Sequence, residues 1–447
     1  MKKLTIALSI ILTAGFVNTS IAQEVITIQK AIENTLNNNL QVKKSKLNEE
    51  LADVTLKQSK ASLYPSVNAD LSQRMAWGRN NSGTSGIFEN TQNYSFGPGV
   101  SAGVDLFNGF SKVNQVKQNK ILLEAGKATT DKLKNDLTLQ VIVSYLDILY
   151  NKDRLIAASQ QLTVAQNQLA QQQELLNVGN KTLADIAESR SLVATAELDV
   201  TTAENALTIS YLTLAQLMDI PSATRYDIQA PVLSTFNKPS TVYDPEAIYA
   251  EAVKVFPDLK LAGLQTAAAK KGIDVAKGNL YPRLSVSGSY GTGYFYNYNY
   301  NVAFPNATFS DQLRNNISKG IGMTLSIPIF NGLQARSGVK RAEISLLQYQ
   351  ADEQLAKNNL NKIIYQAVAD LKAAGSTFES TTKTFNARSE AFSVIEQRYN
   401  VGLVNSLDYS TSQTNKNRAE IDNIRAKYDL IFKAKVIDYY LGRQITF

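Results

Sequence analysis

Apolar positions recur every seven residues through long stretches of the chain. Val141, Ile148, Leu155, Leu162, Leu169 and Leu176 form one column. Ile364, Leu371, Phe378, Phe385, Phe392 and Tyr399 repeat it at an offset of 223. Ile186, Val193, Val200, Leu207 and Leu214 form a third, on the segment that returns from the first. A strict seven-residue spacing keeps one seam against a partner and predicts left-handed supercoiled helices. Neither Gly109 to Gly179 nor Gly332 to Gly402 contains Pro. Helical throughout, each span reaches roughly 100 Å. The other faces carry Gln160, Gln161, Gln166, Asn167, Gln168 and Gln171 to Gln173, with Ala157, Ala158, Ala165 and Ala170 between them. Such an uncharged polar face suits a wall shared by helices and water.

Elsewhere the period is two. Val67, Ala69, Leu71, Met75 and Trp77 alternate with Asn68, Asp70, Ser72 and Arg74. Phe96, Pro98, Val100, Ala102, Val104 and Leu106 alternate with Gly and Ser and with Asp105. Leu284, Val286, Tyr290, Tyr294 and Tyr296 oppose Ser285, Ser287, Ser289 and Gly291. Ile317, Ile321, Met323, Leu325, Ile327 and Ile329 oppose Ser318, Gly320, Gly322, Thr324 and Ser326. The pattern predicts four strands with polar loops over 78–93 and 297–316. A half-buried strand of a soluble sheet has this period too. Small, mostly uncharged residues on the second face, and aromatics near the strand ends, favour membrane strands. Leu71, Val100, Val104, Val286, Tyr290, Ile321, Met323 and Leu325 are then the lipid-facing candidates. Four strands cannot close a barrel, and open edges in lipid leave backbone groups unpaired. The chain is therefore expected to oligomerise; two, three or four copies all remain open on this argument.

The chain repeats itself. Leu63-Tyr64-Pro65 returns as Leu280-Tyr281-Pro282, Phe107-Asn108-Gly109 as Phe330-Asn331-Gly332, and Asn177-Val178-Gly179 as Asn400-Val401-Gly402. Asp185 returns as Asp408. The expected organisation is a first repeat over 23–218, a connector over 219–243 and a second repeat over 244–447. Pro221, Pro231 and Pro239 forbid a continuous helix in the connector.

Composition removes much chemistry. With no His and no Cys in 447 residues, disulfides, thiolate and His-based catalysis and His/Cys zinc sites are excluded. The formal charge of +7 is too small and too dispersed to argue for nucleic acid. Lys2 and Lys3 precede the apolar run Leu4 to Val17 and the small-x-small triplet Ser20-Ile21-Ala22. Residues 1–22 therefore read as a secretory signal cleaved after Ala22.

The duplication, the Leu-Tyr-Pro entries, the Phe-Asn-Gly exits and the Val-Gly tips followed by Asp together resemble the TolC-type outer membrane efflux protein family. The resemblance covers essentially the whole chain after the signal. It implies a mainly α fold with membrane β: a homotrimeric channel-tunnel with a twelve-stranded barrel, four strands from each protomer, continuous with an α-helical coiled-coil barrel. It implies an outer membrane exit duct that spans into the periplasm of a Gram-negative bacterium. Such a duct passively conducts substrates in multidrug efflux or type I secretion. Its partners are a periplasmic adaptor, an inner-membrane pump of RND or ABC type, and outer membrane lipid. No enzymatic activity and no cofactor are implied. A trimeric coiled-coil surface protein and a periplasmic adaptor are the competing classes.

The resemblance also marks the helical tips. In the family, Asp sits six and nine residues after the second tip Gly, and Arg two after it. Here Asp408 matches the first Asp, but Thr411 and Val404 stand at the other two positions. The first tip instead has Lys181, Asp185 and Glu188 at these spacings. Lys181, Asp185, Glu188 and Asp408 are thus the gate candidates, with the closing hairpin left open. Carboxylates repeated around a narrow pore repel one another and attract cations. A solvated acid at a helix start is the plainer role for each. Gly179 and Gly402 are expected to form the tight turns. Val178, Leu183, Val401 and Leu403 are apolar at the tips, where the family's adaptor docks.

Overall fold

The computed structural model describes residues 24–81, 88–221, 226–230, 243–298 and 306–443. The signal segment 1–22 and Pro231 and Pro239 of the connector lie outside these. In chain order the elements are β1 (Glu24–Ile26), α1 (Ile28–Asn38), α2 (Leu40–Ala61), β2 (Ser66–Asn81), β3 (Phe88–Asn108), α3 (Ser111–Asn177) and α4 (Leu183–Met218). Then follow β4 (Tyr226–Ile228), α5 (Pro245–Val255), α6 (Pro257–Gly278), β5 (Arg283–Gly291), β6 (Tyr294–Asn297), α7 (Phe309–Asn315), β7 (Ser318–Ser326), α8 (Gln334–Asn400) and α9 (Ser406–Tyr440). The long helices α3 and α8 have 67 residues each. Among the described residues no helix is long and apolar enough to cross a membrane.

The chain forms two compact units, and each takes segments from both halves. One holds Met1–Lys43, Leu133–Val255 and Leu360–Phe447; the other holds Lys44–Lys132 and Phe256–Asn359.

The first unit is helical. Its main core gathers Ile26, Ile28, Val141, Ile142, Tyr145, Ile148, Leu214, Met218, Ile228 and Ile431. The leucine column is buried at its Val141 and Ile148 end and only half-buried from Leu155 to Leu176. Mostly small residues, with Gln172 the exception, make the tighter seam. Ala158, Ala165 and Gln172 on α3, and Ser189, Ala196, Ala203 and Ser210 on α4, are all buried at sevenfold spacing. Small side chains allow helix axes to approach, so burial is deeper there than at the larger residues. Of the polar run on α3, Gln172 is the buried member.

This unit also contains a strand pair that periodicity could not reveal. β1 pairs in parallel with β4, matching Glu24 with Tyr226 and Ile26 with Ile228. The Tyr145 hydroxyl lies 2.7 Å from the Gln229 carbonyl and 3.0 Å from that of Ile26, bridging both strands. Lys152 and the Tyr211 hydroxyl both donate to Asp227, at 2.6 and 2.8 Å. Part of the expected connector is therefore a strand.

The second unit carries a sheet in the order β2-β3-β5-β7, with β6 also paired to β3. All these pairings are antiparallel. The first hairpin is longer than its composition suggests: β2 runs to Asn81 and β3 starts at Phe88, inside the segment expected as loop. The third expected strand is broken, since residues 292–293 separate β5 from β6. The expected loop over 297–316 contains α7, which begins at the Thr308 cap. Ile327 and Ile329 lie past the end of β7. Helix α3 begins right after a turn in which Gly109 has φ +62°. A Cβ there would collide with the Gly278 carbonyl at the end of α6. Asp105 anchors this junction: Lys112 Nζ reaches it at 2.8 Å, and Arg283 reaches both its oxygens at 2.8 and 2.9 Å.

Candidate functional site: helical tips and sheet face

The tips are built alike. At the first, Gly179 has φ +79°, its amide bonds the Leu176 carbonyl, and the Asn180 amide bonds that of Leu175. At the second, Gly402 has φ +78°, its amide bonds the Tyr399 carbonyl, and the Leu403 amide bonds that of Arg398. Both are glycine-centred helix stops of the kind that satisfies terminal carbonyls. The next helix is capped at once. Thr182 caps α4 and Asn405 caps α9, accepting from the amides of Asp185 and Asp408 at 3.2 and 2.7 Å. Val178, Leu183, Val401 and Leu403 are each about 70% exposed or more. Leu407, not singled out by the sequence, is exposed beside them.

Asp185 has two roles. One oxygen closes a capping box, accepting from the Thr182 amide at 3.0 Å and hydroxyl at 2.8 Å. The other accepts from the Ser406 hydroxyl of the second tip at 2.8 Å. The Thr182 amide holds this carboxyl below the ordinary aspartate range, against a smaller opposing effect of burial; the Thr182 and Ser406 hydroxyls and the Lys181 charge reinforce it. Lys181 also reaches across, its ammonium 4.3 Å from the ring centre of Tyr399. Tyr399 is buried and stacks on Tyr409 with ring centres 4.6 Å apart, and Phe392 completes the cluster. Burial pushes the Tyr399 hydroxyl up, the Asp185 charge adds to this, and Gln168 opposes it. Lys181 and Asp185 are therefore brought together with the second tip. Glu188 of the first tip and Asp408 of the second make no such link between the tips: among the described residues neither carboxylate has a hydrogen-bond or ion-pair partner. Ser406 and Tyr409 carry no signal in the sequence pattern. Tyr399 is visible there only as a seam position.

In the sheet, register decides which side chains share a face. Leu71 opposes Pro98, and Ala69 opposes Val100, which opposes Tyr290. Val104 opposes Val286, which opposes Met323; Ile321 opposes Gly288, and Leu325 opposes Leu284. All eight candidate residues thus lie on one face. Ile321 is 91% exposed and Leu71 69%, so nothing in the protomer covers them. Trp77, Tyr94, Phe96, Tyr294 and Tyr296 continue this face toward the end farther from the helices. The opposite face is lined mostly by Ser, Gly, Asn and Thr, with Asp70, Arg74, Asp105, Arg283 and Phe295.

A family model for outer membrane efflux proteins matches residues 31–219 and 248–443. The chain belongs to that family. It is 23% identical over 308 residues to outer membrane protein TolC of Vibrio cholerae, covering 68% of this chain and 67% of that protein. It is 25% identical over 356 residues to the pyoverdine export outer membrane protein OpmQ of Pseudomonas aeruginosa, covering 76% and 69%. The fold matches the crystal structure of outer membrane protein VceC from Vibrio cholerae with a TM-score of 0.75 at 14% identity, over 94% of this chain and 97% of that one. The chain is an outer membrane efflux protein with the duplicated channel-tunnel fold. The family is one of efflux channels.

Proposed function

We infer that this protein is the passive exit duct of a tripartite efflux assembly. Three copies would each add a four-stranded sector to one barrel and their helical hairpins to one tunnel. The two repeats, 23–218 and 244–447, would each provide one strand pair and one hairpin, joined by the 219–243 connector. The apolar sheet face would meet lipid, the exposed apolar tips would receive a periplasmic adaptor, and an inner-membrane pump would supply the energy. No catalytic residue is assigned, because transport through such a duct needs none. The observation that carries this reading is the sheet: one face almost wholly apolar, one polar face, and, among the described residues, outer edges on β2 and β7 with no strand partner. Open edges are prohibitive in lipid and vanish on closure with further copies.

The gate reading rests on the first tip. Asp185, tied to Ser406, and Lys181, seated on Tyr399, would hold the two hairpin ends together, while Glu188 and Asp408 would contribute unpaired carboxylates. The test is conductance of the mature protein in a planar bilayer together with its oligomer mass. A trimer with small, cation-selective, flickering channels supports the reading. A monomer without conductance overturns it.

A further inference from the structure

The apolar sheet face is not uniform, and its one irregularity has the outline of an amphiphile. From Val67 to Trp77, Gln92 to Val104, Leu284 to Tyr296 and Lys319 to Leu325, the side chains on this face include a single charge, Lys319. Lys319 opposes Tyr290 across β5 and β7, and its ammonium lies 5.7 Å from the centre of the Tyr290 ring. Among the described residues no carboxylate pairs with it. A lysine facing lipid is strongly unfavourable at the bilayer midplane and nearly neutral at headgroup level. Lys319 fits the second case: the purely apolar rows lie on its helix side, and the aromatic rows of Phe96, Tyr94, Tyr294 and Tyr296 begin just beyond it.

Immediately toward the helices the face is hollow. The row formed by Ala102, Gly288 and Ile321 has almost no side chain at its centre. The resulting groove, about 610 Å³, is walled by Val100, Tyr290 and Ile321, and Lys319 stands at its mouth. Below the ammonium this lining offers a ligand mostly hydrocarbon contact, with Ser289 its one hydroxyl besides that of Tyr290. An anion held by Lys319 with its remainder in the groove must therefore carry an apolar chain.

We propose that this groove is a specific site for a phosphate-bearing membrane lipid, with its phosphate on Lys319 and the Tyr290 hydroxyl and an acyl chain laid over Gly288. The site rests on the reading of this face as lipid-facing. It sits on the outer surface of the sheet, so the substrate path does not use it. Lys319 supplies the charge and Gly288 supplies the space.

The test measures lipid binding to the purified, assembled protein by native mass spectrometry. The probes are lipid A with its two phosphates and the same lipid with both removed. The wild type is expected to hold the phosphorylated form about tenfold more tightly. Lys319→Gln should erase that preference and Lys319→Arg should keep it. A Cβ at Gly288 meets nothing closer than 3.8 Å, so Gly288→Val is accommodated in the fold. It should weaken binding of both lipid forms while assembly and conductance stay unchanged. A phosphate preference that survives Lys319→Gln, or binding indifferent to Gly288→Val, overturns the site. A tryptophan placed among the apolar rows on the helix side of Lys319, Met323→Trp in a Trp77→Phe background, separates the two levels of the argument. Quenching of that tryptophan by lipids brominated in their acyl chains, with unaltered Lys319→Gln binding, overturns the site and leaves the lipid-facing reading standing. Absence of quenching overturns both.

Discussion

Ser406 donates its hydroxyl hydrogen bond to Asp185 over 2.8 Å, although the two residues are 221 positions apart in the chain. One belongs to the tip between α8 and α9, the other to the tip between α3 and α4. Removing either partner should therefore loosen the same joint. Single substitutions Asp185→Asn and Ser406→Ala, combined in a double-mutant cycle on channel open probability, should show a coupling of about 1 kcal/mol. Additive effects would mean that the hydroxyl contact does not hold the tips. Asp185→Ala with Asp408→Ala should also weaken block by multivalent cations, read from the blocker concentration that halves the current.

The same joint predicts a pH window. The folded-state carboxyl of Asp185 is depressed, so its contribution is fully present above the ordinary aspartate range and is lost as pH falls through the depressed value. Open probability should stay flat from pH 7 to about 5 and rise only in stronger acid. A midpoint near neutrality would exclude Asp185 as the group responsible.

The tip glycines make a backbone prediction free of packing effects. A Cβ added at Gly179 or Gly402 would meet nothing within 4 Å, yet both residues have φ near +80°. Gly402→Ala should destabilise its hairpin by about 1 kcal/mol through conformation alone. Gly402→Asn, which tolerates left-handed backbone, should be milder. Thermal melting of the assembled protein checks the order; equal effects would remove the conformational argument.

Sheet closure predicts a register between copies. Within the protomer β3 pairs with β5, so that Ser101 opposes Ser289. The repeat carries β3 onto β7 at an offset of 223 and β5 onto β2 at 217, which sets Thr324 of one copy against Ser72 of the next. Because the chain has no Cys, Thr324→Cys with Ser72→Cys should give an oxidant-dependent cross-linked ladder ending at the trimer. Thr324→Cys with Asp70→Cys, displaced by one pair of residues, should not. The reverse result would reset the barrel register.

Leu325 tests the faces of the sheet. Leu325→Arg should destabilise assembly by about 2–4 kcal/mol if this position faces the lipid midplane, whereas Thr324→Arg on the opposite face should assemble normally. The yield of heat-sensitive oligomer on gels distinguishes them. Normal assembly of Leu325→Arg would sink the assignment.

Much of this architecture is legible in the sequence because it is periodic. The seven-residue columns specify α3 and α8, the two-residue alternation specifies the sheet faces, and the recurrence of Gly179 as Gly402 locates both tips. What escapes the sequence has no period. Glu24–Ile26 is three residues long and finds β4 across some two hundred positions, so neither strand is announced locally. The break at 292–293 lies within an aromatic run that reads as one strand. The Ala196 and Ala203 column keeps the heptad spacing, but small residues carry a weak apolar signal even where they are the most buried. At the tips, Asp185 is visible through its match with Asp408, whereas Ser406 has no distinguishing pattern. A hydroxyl becomes a partner only when folding delivers it to an acid.

The near-identity of the two tip backbones gives their differing side chains a purpose. Were every hairpin in a closed ring the same, each carboxylate would stand beside another carboxylate and each ring beside another ring. Duplication within one polypeptide frees alternate positions to diverge: both tips keep the acid, as Asp185 and Asp408, but one adds the ammonium of Lys181 and the other the Ser406 hydroxyl and the stack of Tyr399 on Tyr409. Complementary locks can then form between neighbouring ends without a second kind of subunit.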